Sequence, residues 1–124
     1  MASTVYTKKA PEAIGPYSQA KAAAGLIFTS GQIPIDPETG TVSATDIKGQ
    51  ADMACRNVGA ILEAAGVGFE QVIKTTCFLA DMNDFADFNE VYSRYFISKP
   101  ARSCVAVKAL PKGVLVEIEA VAEA

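Results

Sequence analysis

From Pro100 to Ala120 polar and apolar side chains alternate with a period of two, and this pattern constrains the fold more than any other feature of the chain. A period of two belongs to β-strands. Arg102 and Cys104 share one face of a first strand, alternating with Ser103, Val105 and Val107. Beyond a Leu110-Pro-Lys-Gly113 turn, Glu117 and Glu119 share one face of a second strand, alternating with Val116, Ile118 and Ala120. A guanidinium, a thiol and two carboxylates are costly on a sheet unless they are solvated, paired or used. Paired as a simple hairpin about Pro111, the strands would set Glu119 opposite Arg102 as a structural ion pair and Glu117 opposite Cys104.

The segments upstream supply the rest of an α+β domain. Ser18 to Ala23, Leu26 to Ser30 and Val72 to Ala80 read as strands, the last rich in β-branched and aromatic residues, and Thr4 to Thr7 could add a short edge strand outside the main order. Between them, Ile47, Ala51, Ala54, Cys55, Val58, Ile61, Leu62 and Ala65 recur at helical spacing, with Thr45 or Asp46 to cap the start and Gly66 at the C′ position. A second helix, capped by Asn83 or Asp84 and stopped by Pro100, carries Phe85, Phe88, Val91, Tyr92, Tyr95 and Phe96 as its apolar stripe. The order β–β–α–β–α–β–β predicts a sheet with both helices on one face. The other face, rich in apolar strand residues, is expected to be buried in a homo-oligomer.

Bulk properties narrow the function. The chain has 124 residues, enough for one domain over 1–124 with its own core, and no repeat or linker divides it. The net charge of −3 argues against a general nucleic-acid surface. The start lacks the apolar stretch of a secretory signal, and no apolar run is long enough to span a bilayer. Cys55, Cys77 and Cys104 are odd in number and show no metal-finger spacing, which fits free thiols and a cytoplasmic address. With no histidine, Ser-His-Asp and Cys-His systems and the usual zinc sites fall away. Acid–base chemistry then rests with carboxylates, tyrosines, thiols, lysines or water.

Each candidate residue has a plain alternative. Arg102 is either an ordinary strand-edge cation or a bidentate clamp for a substrate carboxylate. Glu117 and Glu119 are either ion-paired or, if partly buried, able to hold a water and donate a proton. Cys104 on its own reads as a small packed residue, and Tyr17 as a loop aromatic. Ser30-Gly31-Gln32 closes a strand where Gly31 would let backbone approach a ligand. Asn89 falls on the polar side of its helix, facing water. Asp81, Asp84 and Asp87 fit no calcium loop, and capping accounts for Asp84.

Taken together, Ala13-Ile-Gly-Pro-Tyr-Ser-Gln19, Phe28-Thr-Ser-Gly-Gln-Ile-Pro34, Asn57 with Ala64-Ala-Gly66, Val72-Ile-Lys-Thr-Thr76, and Pro100-Ala-Arg-Ser-Cys104 with Glu117-Ile-Glu-Ala120 resemble the Rid family, the YjgF-type reactive-intermediate (enamine/imine) deaminases. The resemblance spans essentially the whole chain and falls within the RidA branch. It implies a chorismate-mutase-like α+β fold and a homotrimer whose sheets form an inner barrel, with active sites between subunits. It also implies that the last two strands need not be neighbours. By the same resemblance Arg102 binds the substrate carboxylate and Glu117 positions water or donates a proton. Ser30, Gly31 and Cys104 line the pocket, Tyr17 and Asn89 come from the adjoining subunit, and Glu119 lies outside the chemistry. The short segment before Pro100, with Lys99 where relatives often carry an aromatic, departs from the pattern at the rim of the cleft.

The activity so implied is hydrolysis of a 2-imino acid, such as 2-iminobutanoate or 2-iminopropanoate formed from 2-aminocrotonate or 2-aminoacrylate, to a 2-keto acid and ammonia. No cofactor or metal is implied. Two rival classes are an endoribonuclease or translation inhibitor, which the acidic, histidine-free chain argues against, and a non-catalytic carboxylate-binding or holdase protein.

Overall fold

The computed structural model describes residues 1–124. In chain order the elements are β1 (Ser3–Val5), β2 (Ala20–Ala23), β3 (Leu26–Thr29), α1 (Ile47–Ala64), β4 (Val72–Leu79), α2 (Phe85–Tyr95), β5 (Ala101–Ala106) and β6 (Val116–Glu123). The strands form one sheet in the order β1-β2-β3-β6-β4-β5. Only β4 and β5 pair in parallel, as expected for strands joined by the crossover helix α2.

That topology overturns the hairpin register. β4 lies between β5 and β6, with Thr75 beside Arg102 and Thr76 beside Glu119. Thr75 is fully buried beneath the helices, whereas Thr76 faces the other way and is half-buried. Arg102 and Cys104 therefore lie on the helix side of the sheet, and Glu117 and Glu119 on the open side. The ion pair between Arg102 and Glu119 does not form. The connection from β5 to β6 steps across the end of β4, where Val107 N donates to Leu79 O (2.9 Å) and Ala80 N to Leu115 O (3.0 Å). The Gln50 side chain accepts from Leu115 N at 2.8 Å and ties the same crossing to α1.

Both helices cover one face, as the periodicity predicts. Ala51, Ala54 and Cys55 of α1 are fully buried, and their small size lets the helix approach Ile118, Ala120 and Ala122 of β6 closely. Asp46 caps α1, accepting from Gly49 N at 3.2 Å, and Gly66 ends it at φ 85°. The Asp84 side chain makes no capping bond; Asp81 instead accepts from Asn83 N (2.8 Å) in the short turn before α2. Phe28, Phe78, Val105 and Val121 lie on the uncovered face, with Phe28 and Val105 each 46% exposed. No helix is long and apolar enough to cross a membrane.

Candidate functional site

On the edge strand β5, Arg102 is held from several directions. Its guanidinium carbon lies 4.8 Å from the Tyr92 ring centroid and 5.4 Å from that of Phe85, both on α2. Its Nη1 donates to Asn89 Oδ1 at 2.7 Å. The Tyr92 ring is fixed in turn, since its hydroxyl shares a 2.7 Å hydrogen bond with the buried Thr75 hydroxyl. Burial pushes the Tyr92 phenol up to about 12, so it stays neutral. No carboxylate pairs with Arg102, and one hydrogen bond leaves most of its five donors free. The group is a preoriented cation facing a cavity. Cys104 lies two residues further along the same face, beside Cys77, and burial raises its thiol although Arg102 opposes the shift.

The second cluster sits on the open side. Glu117 shares a cavity of about 480 Å³ with Tyr17, Ser30 and Gly31. A Cβ on Gly31 would overlap the Glu117 carboxylate, so glycine is what lets that carboxylate lie against this backbone. The loop is fastened there by a bridge in which Gln32 N donates to Ile118 O (2.7 Å) and Ile118 N to Gln32 O (3.0 Å). Ser30 Oγ donates to Ser18 O at 2.6 Å. The buried Gln19 side chain pins the facing loop, accepting from Thr7 N (2.8 Å) and donating to Thr7 O (3.0 Å) and Pro11 O (2.8 Å). Glu117 forms no ion pair, although Lys112 lines the same cavity. Burial raises its carboxyl above the usual range, and the neighbouring Glu119 raises it further.

The predicted residues thus divide into Arg102, Cys104 and Asn89 on one side of the sheet and Tyr17, Ser30, Gly31 and Glu117 on the other. Two expectations change. Asn89 does not face water, and it bonds to Arg102 of its own chain, so it cannot be assigned to a different subunit from Arg102. Tyr17 shares its cavity with Glu117 of its own chain and lies across the sheet from Arg102. Sequence reasoning missed Phe85, Tyr92, Thr75 and Gln19. The first two appear in the apolar stripe of α2 as core residues, and nothing in a helical period distinguishes a packing ring from one that carries a cation. A larger cavity of about 710 Å³, between α1 and the loops around Lys8 and Phe69, contains none of the predicted residues. No cluster of His, Cys, Asp or Glu is arranged to hold a metal.

Comparison with known proteins bears on what the arrangement is for. The family model described as Endoribonuclease L-PSP matches residues 7–124. A RutC family protein of Pyrococcus horikoshii is 55% identical over 123 residues, covering 98% of each chain. The 2-iminobutanoate/2-iminopropanoate deaminase of Salmonella typhimurium is 49% identical over 126 residues, again covering 98% of each. Among solved structures, YyfA of Yersinia pestis, a protein of unknown function of the Rid family, superposes with a TM-score of 0.97 at 45% identity, covering 100% of both chains. With nearly the full length matched in sequence and in fold, the chain belongs to the Rid (YjgF, L-PSP) family.

Proposed function

We propose that the protein hydrolyses 2-imino acids derived from reactive enamines, at sites completed by two subunits of a homotrimer. The observation that carries this reading is Arg102, an unpaired cation oriented by Tyr92, Phe85 and Asn89 with its remaining donors free. A planar fork of this kind suits a substrate carboxylate. Arg102 and Glu117 lie on opposite faces of one sheet, so one chain cannot bring them together. A neighbouring copy seated on the apolar open face would bring its own Arg102, Asn89 and Cys104 against Glu117, Tyr17, Ser30 and Gly31.

Arg102 would hold the carboxylate and so fix the C2 carbon of the imine, lowering the entropic part of the barrier. Water, held by Glu117, adds to C2. The C–N bond then breaks as Glu117 passes a proton to nitrogen, so that imino acid and water give 2-keto acid and ammonia. Burial raises the Glu117 carboxyl, so it holds a proton more tightly than a solvated carboxylate would and is the better placed to pass one on. The reaction is intrinsically easy, and positioning supplies most of what is needed.

A coupled assay tests this: a pyridoxal-phosphate dehydratase generates the imine, and 2-keto acid formation is followed. The protein is expected to accelerate it, and Arg102→Ala or Arg102→Lys to abolish the acceleration. Equal rates for wild type and both variants overturn the assignment. RNA cleavage that survives purification and disappears in Arg102→Ala would favour ribonuclease activity, and 2-keto acid binding without imine hydrolysis a binding protein.

A further inference from the structure

Arg102 does not open onto its cavity alone. A cavity of about 450 Å³ between the C-terminal end of α2 and the start of β5 is lined by Arg102, Lys99, Pro100 and the rings of Tyr92 and Phe96. None of its lining residues is acidic. Neither Lys99 nor Arg102 takes part in an ion pair, and Glu90, on the adjoining helix, is already engaged by Lys48 (2.8 Å) and Arg94 (3.3 Å). Two uncompensated cations around an acid-free hollow are unusual on a chain of net charge −3.

The backbone keeps Lys99 in place. It has a left-handed φ of 52°, uncommon for a residue with a side chain and restricted further by the following proline. Lys99 N donates to Phe96 O (3.2 Å), and the adjacent Ser98 Oγ donates to Val72 O of the neighbouring strand (2.7 Å). The turn is tied at both ends, and its strained residue is the one that carries the charge. Lys99 and Arg102 are three positions apart, at most about 10 Å of extended chain. A flexible lysine stem easily shortens that gap to the separation of the two carboxylates in a five-carbon diacid.

We propose that this cavity binds a second anionic group, so that the protein accepts 2-imino acids whose side chain ends in a carboxylate. The proposal rests on the deaminase reading above and names a substrate class for the same site. Arg102 takes the carboxylate beside the imine, and Lys99 takes the one at the end of the side chain. The reaction is unchanged: water replaces the imine nitrogen at C2, ammonia leaves, and the distal carboxylate keeps its charge throughout.

The test compares two imines made in place by amino-acid oxidases, one from glutamate and one from 2-aminobutyrate, in wild type, Lys99→Ala and Lys99→Arg. The quantity read is the ratio of kcat/KM for the diacid imine to that for the apolar imine. In Lys99→Ala this ratio is expected to fall about fivefold, in line with a single partly solvated charge contact, and Lys99→Arg should restore most of it. Raising the salt concentration should lower the ratio in wild type and leave it nearly unchanged in Lys99→Ala. If both imines are hydrolysed and the ratio is the same in all three proteins, the proposal is overturned. If neither imine is hydrolysed, the deaminase reading fails and calorimetry decides the cavity separately. Tighter binding of 2-oxoglutarate than of 2-oxobutanoate, with the difference lost in Lys99→Ala, supports the second anion site, and equal affinities refute it.

Discussion

The two halves of the candidate site are built in opposite ways. Arg102 is clamped: two rings, an amide and a tyrosine tethered to Thr75 fix the orientation of a group whose charge never changes. Glu117 touches no side-chain partner, and its immediate neighbour is bare backbone at Gly31. Its environment instead alters its proton affinity, by burial and by the charge on Glu119. The contrast teaches a division of labour. A residue that holds a substrate gains from rigid second contacts, whereas one that moves a proton gains from desolvation, which strengthens its hold on that proton.

The sharpest way to break this comparison is at Arg102. Arg102→Ala should lower kcat/KM by about a hundredfold or more, and Arg102→Lys nearly as much, since an ammonium cannot reproduce a bidentate fork. Full activity in the lysine variant, read in the coupled assay, would mean that charge alone suffices. Next comes Gly31→Ala, whose methyl would occupy the position of the Glu117 carboxylate. A drop in kcat of about tenfold is expected, with KM little changed, because the proton carrier is displaced while the carboxylate clamp is untouched. A rise in KM alone would assign Gly31 to substrate binding.

Tyr92 separates orientation from charge. Tyr92→Leu removes the ring beneath Arg102, a contact worth about 1 kcal/mol, and should raise KM about fivefold with kcat nearly constant. Tyr92→Phe keeps the ring but leaves the buried Thr75 hydroxyl unpartnered, so it should cost about 1–2 kcal/mol of stability in urea unfolding with less effect on KM. Equal KM values in the two variants would show that the ring does not orient Arg102. The smallest effect concerns pH. Because the Glu117 carboxyl is raised in the folded state, the folded chain binds its proton more tightly than the unfolded one. Stability contributed by the protonated form is then lost as pH rises above the usual carboxylate range. Glu117→Gln should therefore melt higher than wild type at neutral pH, with the gap closing at pH 4 and below. A gap that widens on acidification would contradict the direction of the shift.

The sequence displayed the fold well and the site partly, for reasons visible in particular residues. The Ala51–Ala54–Cys55 stripe has a helical period and the Glu117–Glu119 pair a strand period, and both landed on the faces that those periods imply. Pairing was not legible, because alternation says which residues share a face and nothing about which strand lies alongside. β4 was free to enter between β5 and β6, and so the expected contact of Arg102 with Glu119 was lost. Asn89 was misread for a related reason: a polar residue on an amphipathic helix usually points to water, and here a cation from an edge strand reaches up to meet it. Gln19 lay within a quoted motif, yet only the folded loops show its amide bridging Thr7 and Pro11.

The central claim is that the two halves meet only between chains. Mixing subunits tests it directly: Arg102→Ala and Glu117→Gln chains, each inactive alone, are unfolded together and refolded as a one-to-one mixture. In a trimer with sites between subunits, an interface pairing the intact Arg102 of one chain with the intact Glu117 of the other arises at about one site in four. The account predicts recovery of about a quarter of wild-type activity from two inactive parents. A mixture as inactive as its parents would place both residues in the service of one chain and contradict the account.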